Sequence, residues 1–167
     1  MRLLVYSYPL HFCCLSKAPP GLPRLHIQAY PTPAMRAATV GAVGLLAPVG
    51  IEREWMRVLV KNRKAQSLDP DEATALLERY QNAYSARIHR LSEEGRLDPY
   101  WLQDNAGNPL SGPVALCCSC SVAAAAQGQC HRTWAAVALA ERGAWTVYLD
   151  GKEVKKELLP EKRGITF

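Results

Sequence analysis

Four of the six cysteines of this chain, Cys117, Cys118, Cys120 and Cys130, fall within fourteen residues, and the last of them opens the tripeptide Cys130-His131-Arg132. Each residue type in that tripeptide brings its own chemistry. A cysteine where a helix begins faces unpaired N–H groups and the positive end of the helix dipole, which attract anions and favour thiolate over thiol. A histidine beside it carries protons near neutral pH. An arginine adds a planar fork suited to phosphate or carboxylate. On this reading Cys130 is the nucleophile, with a thiol more acidic than a free cysteine, His131 is the proton carrier and Arg132 is the anion clamp.

Two other readings compete. Cys118, Cys120, Cys130 and His131 offer the donor types of a zinc site. Against that, the paired two-residue spacings of common zinc folds are absent, and the adjacent Cys130 and His131 would have to turn toward one ion. Alternatively, the cysteines are small buried hydrophobes, which suits Cys117 and extends to Cys13 and Cys14. That last reading leaves the charged His-Arg pair unexplained.

The elements that must position these residues follow from pattern. Val114–Cys118 reads as a buried strand, residues 120–129 as a connection, His131–Arg142 as a helix and Trp145–Leu149 as a strand before an Asp150-Gly151 turn. This is a βαβ order, so the strands should be parallel with helices packed on the sheet. Upstream, "RLLVY" at residues 2–6 reads as the first strand, Arg24–Tyr30 as a second between prolines, and "AATVGAVGLLAP" as a short helix or buried strand. Glu52–Lys64 reads as a helix.

Asp69-Pro70-Asp71-Glu72 is a strong helix start, with an N-cap carboxylate, proline at the first helical position and acids on the positive dipole end. From there Ala73, Leu76, Leu77, Tyr80, Tyr84, Ile88 and Leu91 recur at helical spacing, so residues 70–94 form one amphipathic helix stopped at Gly95. Its other face, with Arg79, Arg87, His89 and Arg90, is expected in solvent. "DPYWLQDNAGNPLSGP" is a loop. In a parallel sheet, functional groups collect at the carboxyl ends of strands. Ser7 and Tyr8 after the first strand should therefore share one pocket with Cys120 and Cys130-His131-Arg132.

At 167 residues the chain has the length of one domain, expected over residues 1–150 with a charged peripheral tail at 151–167. The expected fold class is α/β: a single compact domain with a short, mostly parallel sheet flanked by helices, Rossmann-like, with a long central amphipathic helix. The net charge of +5 is uneven, since residues 1–51 hold Arg2, Lys17, Arg24 and Arg36 and no acidic residue. A basic region of this kind favours an anionic partner, a nucleotide or a nucleic acid. The paired cysteines, Cys13-Cys14 and Cys117-Cys118, do not resemble the spaced framework of a small secreted protein, and reduced thiols in a cytoplasm fit better. Tyr6, Tyr8, Pro9 and His11 break the opening apolar run, so no export signal is read there, and no stretch is long and apolar enough to span a membrane.

The same residues carry a resemblance. Ser7 and Tyr8 near the start, and Leu116, Cys118, Cys120, Cys130, His131, Arg132, Ala136, Leu139 and Gly143 toward the end, are similar in order to the pattern of domain-of-unknown-function family four-eight-eight, a group of uncharacterised bacterial and phage proteins. The connection Ser121–Gln129 is longer and richer in alanine than that pattern. The resemblance implies a compact α/β fold with a polar site around Cys-His-Arg, and no particular reaction.

Overall fold

A computed structural model describes residues 9–65, 67–97, 101–120, 130–142 and 145–155. In chain order its regular elements are β1 (Leu10–Cys14), β2 (Arg24–His26), α1 (Pro33–Ala38), β3 (Gly41–Ala42), α2 (Gly50–Ala65), α3 (Pro70–Glu93), β4 (Val114–Cys118), α4 (His131–Glu141), β5 (Val147–Leu149) and β6 (Lys152–Glu153). The strands form one sheet in the order β3-β2-β4-β1-β5-β6. Every pairing is parallel except the edge hairpin of β5 and β6. With its helices this is a single α/β domain of the Rossmann-like kind expected from sequence.

β1 and β4 lie at the centre, in register from Leu10 beside Val114 to Cys14 beside Cys118. Alternation then assigns the two faces of the sheet. Leu10, Phe12, Leu25, Val114, Leu116 and Cys118 join one core with side chains of α2, α3 and α4, whereas Cys13, Ala115 and Cys117 point the other way and are covered by Leu15, Ala18 and Leu22.

The long helix matches its sequence signals closely. Asp69 accepts hydrogen bonds from the N–H groups of Asp71 and Glu72, and Leu77, Tyr80, Tyr84, Ile88 and Leu91 are the buried stripe. At the other end Gly95 takes φ +71, and the N–H groups of Gly95 and Arg96 donate to the carbonyls of Ser92 and Leu91. That pair of bonds satisfies carbonyls the helix cannot pair itself, and it needs glycine at the left-handed position.

Several expectations shift. The strand expected at 2–6, with Ser7 and Tyr8, lies outside the described residues. The first described strand is β1, formed because "LHFCC" finds β4 on one side and β5 on the other. The strand at Arg24–Tyr30 ends at His26, the helix at Glu52–Lys64 extends to Gly50 and Ala65, and the strand at Trp145 begins at Val147. The ambiguous glycine-rich stretch gives the two-residue β3 and a short 3-10 turn, Gly44–Leu46. Gly41 in β3 has a steric reason, since a Cβ there would stand 2.7 Å from the Gln103 carbonyl oxygen.

Arg87 is not in solvent. Its guanidinium meets Glu52 at 2.8 Å, donates to the carbonyls of Leu45 and Ala47, and lies over the Tyr84 ring. Glu52 itself is buried and accepts from the Val49 N–H at the start of α2. An arginine on the polar side of α3 thus becomes the tie between two helices.

Candidate metal centre

Three sulfurs meet where β4 ends and α4 begins. Cys118 is the last residue of β4, its side chain on the face toward the helices. Cys120 follows after Ser119. Cys130 is the N-cap of α4 in extended conformation, and its side chain makes no capping hydrogen bond, so the sulfur points into the core. The Sγ atoms of Cys118 and Cys130 are 3.3 Å apart, and those of Cys118, Cys120 and Cys130 all lie within 4.8 Å of one another. Among the described residues this is the one cluster with donor atoms arranged to surround an ion.

Arg132 comes from the first turn of α4 and reaches back over this cluster. One Nη donates to Cys118 Sγ at 2.9 Å and to the Cys120 carbonyl at 2.7 Å, and the other meets both carboxylate oxygens of Asp150 at 3.2 Å. Its side chain is fully buried. The expected anion clamp is therefore an internal charge, aimed at a sulfur and balanced by a carboxylate. Burial opposes the charged form, but the attraction of Cys118, Cys130 and Asp150 outweighs it and raises the guanidinium pKa above its ordinary value.

The thiols do not behave as a helix-end position alone would suggest. Contact with Cys118 and Cys120, then burial, holds the Cys130 thiol well above its ordinary range. Cys118 is pushed up to about 11, chiefly by its contact with Cys120, although Cys130 and Arg132 pull the other way. The expected acidic Cys130 is thus corrected: a helix terminus attracts one thiolate, but neighbouring sulfurs in a dry site resist a second negative charge more strongly.

His131 is buried, with Nε2 at 2.7 Å from the Ile27 carbonyl oxygen. A carbonyl only accepts, so Nε2 carries the proton. Nδ1 is buried and has no partner among the described residues. The ring lies edge-on to Tyr84 and outside the sulfur group, so the four-ligand set with His131 reduces to three cysteines. Burial lowers its pKa and keeps the ring neutral.

Cys13 and Cys117 form a separate pair on the opposite face, 3.8 Å apart, and both are buried as packing residues would be. Cys14 is half-buried and near Ser16. Asp150 escaped the sequence reading, which took it only as a turn residue. The available signal was its position at the carboxyl end of a strand, where the strands of such a sheet bring their functional groups together. Asp150 (φ 48) and Gly151 (φ 82) both adopt left-handed backbone in the tight turn between β5 and β6.

Comparison with known proteins finds no matching family model, no matching curated protein and no matching solved structure. No helix among the described residues is long and apolar enough to cross a membrane.

Proposed function

We propose that Cys118, Cys120 and Cys130 hold a thiophilic metal ion, zinc in the first instance, joining the end of β4 to the start of α4. The observation that carries this reading is the convergence within 4.8 Å of two sulfurs at and just past the end of β4, those of Cys118 and Cys120, with that of Cys130 at the start of α4. Thiolates select zinc or copper(I) over magnesium or calcium. An ion would take the place of the thiol protons that mutual contact of the sulfurs, and then burial, now retain, and the Arg132 N–H on Cys118 would offset the excess negative charge of a three-sulfur set. Three protein donors leave one position of a tetrahedral ion for water or a small-molecule donor, as in catalytic rather than purely structural zinc sites.

Native mass spectrometry of protein purified without chelator should find one zinc per chain. Cys118→Ser and Cys130→Ser should abolish binding, and Cys117→Ser should retain it. A parent protein that takes up no zinc on titration overturns the reading. The kinship with family four-eight-eight, which rests on the same Cys-His-Arg segment, is likewise a proposal.

A second reading, a phosphate-bearing partner such as a nucleotide or nucleic acid, draws support from charge placement and not from Arg132. Residues 1–65 carry nine basic and two acidic groups, the remainder eleven and thirteen. One of the two acids, Glu52, is already paired with Arg87.

A further inference from the structure

Among the described residues, the basic part of the molecule has one place where its cations meet an exposed aromatic ring. After β2 the chain runs through Ile27 and Gln28, and Gln28 is tied to Ser119 beyond β4 by a 2.5 Å hydrogen bond. It then turns at Tyr30, whose side chain is 62% exposed. Arg53 of α2 stands 5.0 Å from the centre of that ring and donates to its hydroxyl oxygen at 2.6 Å, and Arg57, one turn further on, stands 5.5 Å from it. Neither arginine meets a carboxylate among the described residues.

Tyr30, Val40, Val49, Ile51 and Val58 are the exposed large apolar side chains of the described residues. On α2, Ile51 and Val58 lie on the other flank of the helix from Arg53 and Arg57, so the feature is defined by Tyr30 and its two cations alone.

We propose that Tyr30, Arg53 and Arg57 form a docking strip for single-stranded nucleic acid. This rests on the nucleic-acid reading above and gives it a location away from Arg132. Tyr30 supplies a platform on which an unstacked base lies, and the two guanidinium groups meet the adjoining phosphates or extend the stack. A single strand is favoured over a duplex because its bases are free to reach the ring. It is favoured over an acidic peptide because carboxylates would use the arginines and leave the aromatic face idle. Since every base has a π-face, the strip should bind with little sequence preference.

The test is fluorescence anisotropy with a labelled oligothymidylate of about 12 nucleotides, within the usual footprint of such sites. The parent protein should bind at low salt. Tyr30→Ala should weaken binding roughly 5- to 150-fold while Tyr30→Phe retains it, and Arg57→Ala should flatten the dependence of log affinity on log salt by about 0.7. Both substituted positions, Tyr30 and Arg57, are exposed, so unchanged circular dichroism should accompany each variant. If the parent fails to bind, both the strip and the nucleic-acid reading fall. If the parent binds and Tyr30→Ala with Arg57→Ala binds equally well, the strip is overturned while the nucleic-acid reading stands. If polyglutamate of matched charge competes as well as the oligonucleotide, the partner is an acidic protein and the proposal is overturned.

Discussion

Cys117 and Cys118 are neighbours on β4, yet they belong to different chemistries. Cys117 faces a thin layer of Leu15, Ala18 and Leu22 and touches one other sulfur, that of Cys13. Cys118 faces the helices and touches Cys130, with Cys120 close by and a buried guanidinium on its sulfur. The difference arises from pleating alone, which sends consecutive side chains to opposite faces. It teaches that cysteine count says little until the neighbouring charge is known. Two sulfurs with no guanidinium bonded to them pack, whereas three with Arg132 on one sulfur and Asp150 behind it make a site whose protonation has consequences.

The contrast between the two faces can be broken experimentally. Its largest expected sign is in stability. Arg132→Met leaves the inner end of the Asp150 pair without its cation and should cost about 3 to 5 kcal/mol in urea unfolding. Cys117→Ala, which removes a packed sulfur on the other face, should cost only about 1 kcal/mol. Equal losses would erase the distinction.

Zinc should then separate the faces by ligand linkage. At an ion concentration about one hundred times its dissociation constant, the parent and Cys117→Ser should gain roughly 2.7 kcal/mol, or about 5 to 10 °C in melting temperature. Cys118→Ser should gain nothing. A gain in all three would place the ion elsewhere.

The pH dependence sharpens the same point. Cys118 and Cys130 have raised thiol pKa values, so both carry protons through the neutral range and an ion must displace them. Zinc affinity should therefore rise with pH, about tenfold per unit for each proton displaced, and fall on acidification. An isothermal titration series that is flat between neutral and mildly alkaline pH would show that thiols are not the ligands. The smallest signal should come from Cys130 itself. Buried and protonated, it should resist iodoacetamide in the folded, zinc-free protein, while half-buried Cys14 reacts. Rapid labelling of folded Cys130 would restore its assignment as a nucleophile.

What sequence revealed, and what it hid, divides along the same physical line. The helix at Pro70–Glu93 was legible because its start, stripe and stop are all local: Asp69, Pro70, the recurring apolar residues and Gly95. The strand Val114–Cys118 was legible as a continuous apolar run, typical of a strand buried on both faces. β1 was not, because "LHFCC" carries a polar residue and becomes a strand only through its partners on both sides. The cysteine cluster could be seen from spacing, but the state of its thiols could not. That depends on Arg132 turning inward to Asp150, eighteen residues away in sequence and adjacent only once α4 has crossed back to β5. Arg87 hid for the same reason, since its partner Glu52 lies on another helix.

The turn at Asp150 carries a further implication for how this sequence can vary. Left-handed backbone at that point asks for glycine, asparagine or aspartate. The arginine behind it asks for an anion. Glycine meets the first demand alone and glutamate the second alone, whereas aspartate meets both with one side chain. The shape of a peripheral hairpin and the charge balance of a buried cluster are therefore fixed at a single position. A substitution that eases the bend unbalances the cluster, and one that keeps the balance distorts the bend.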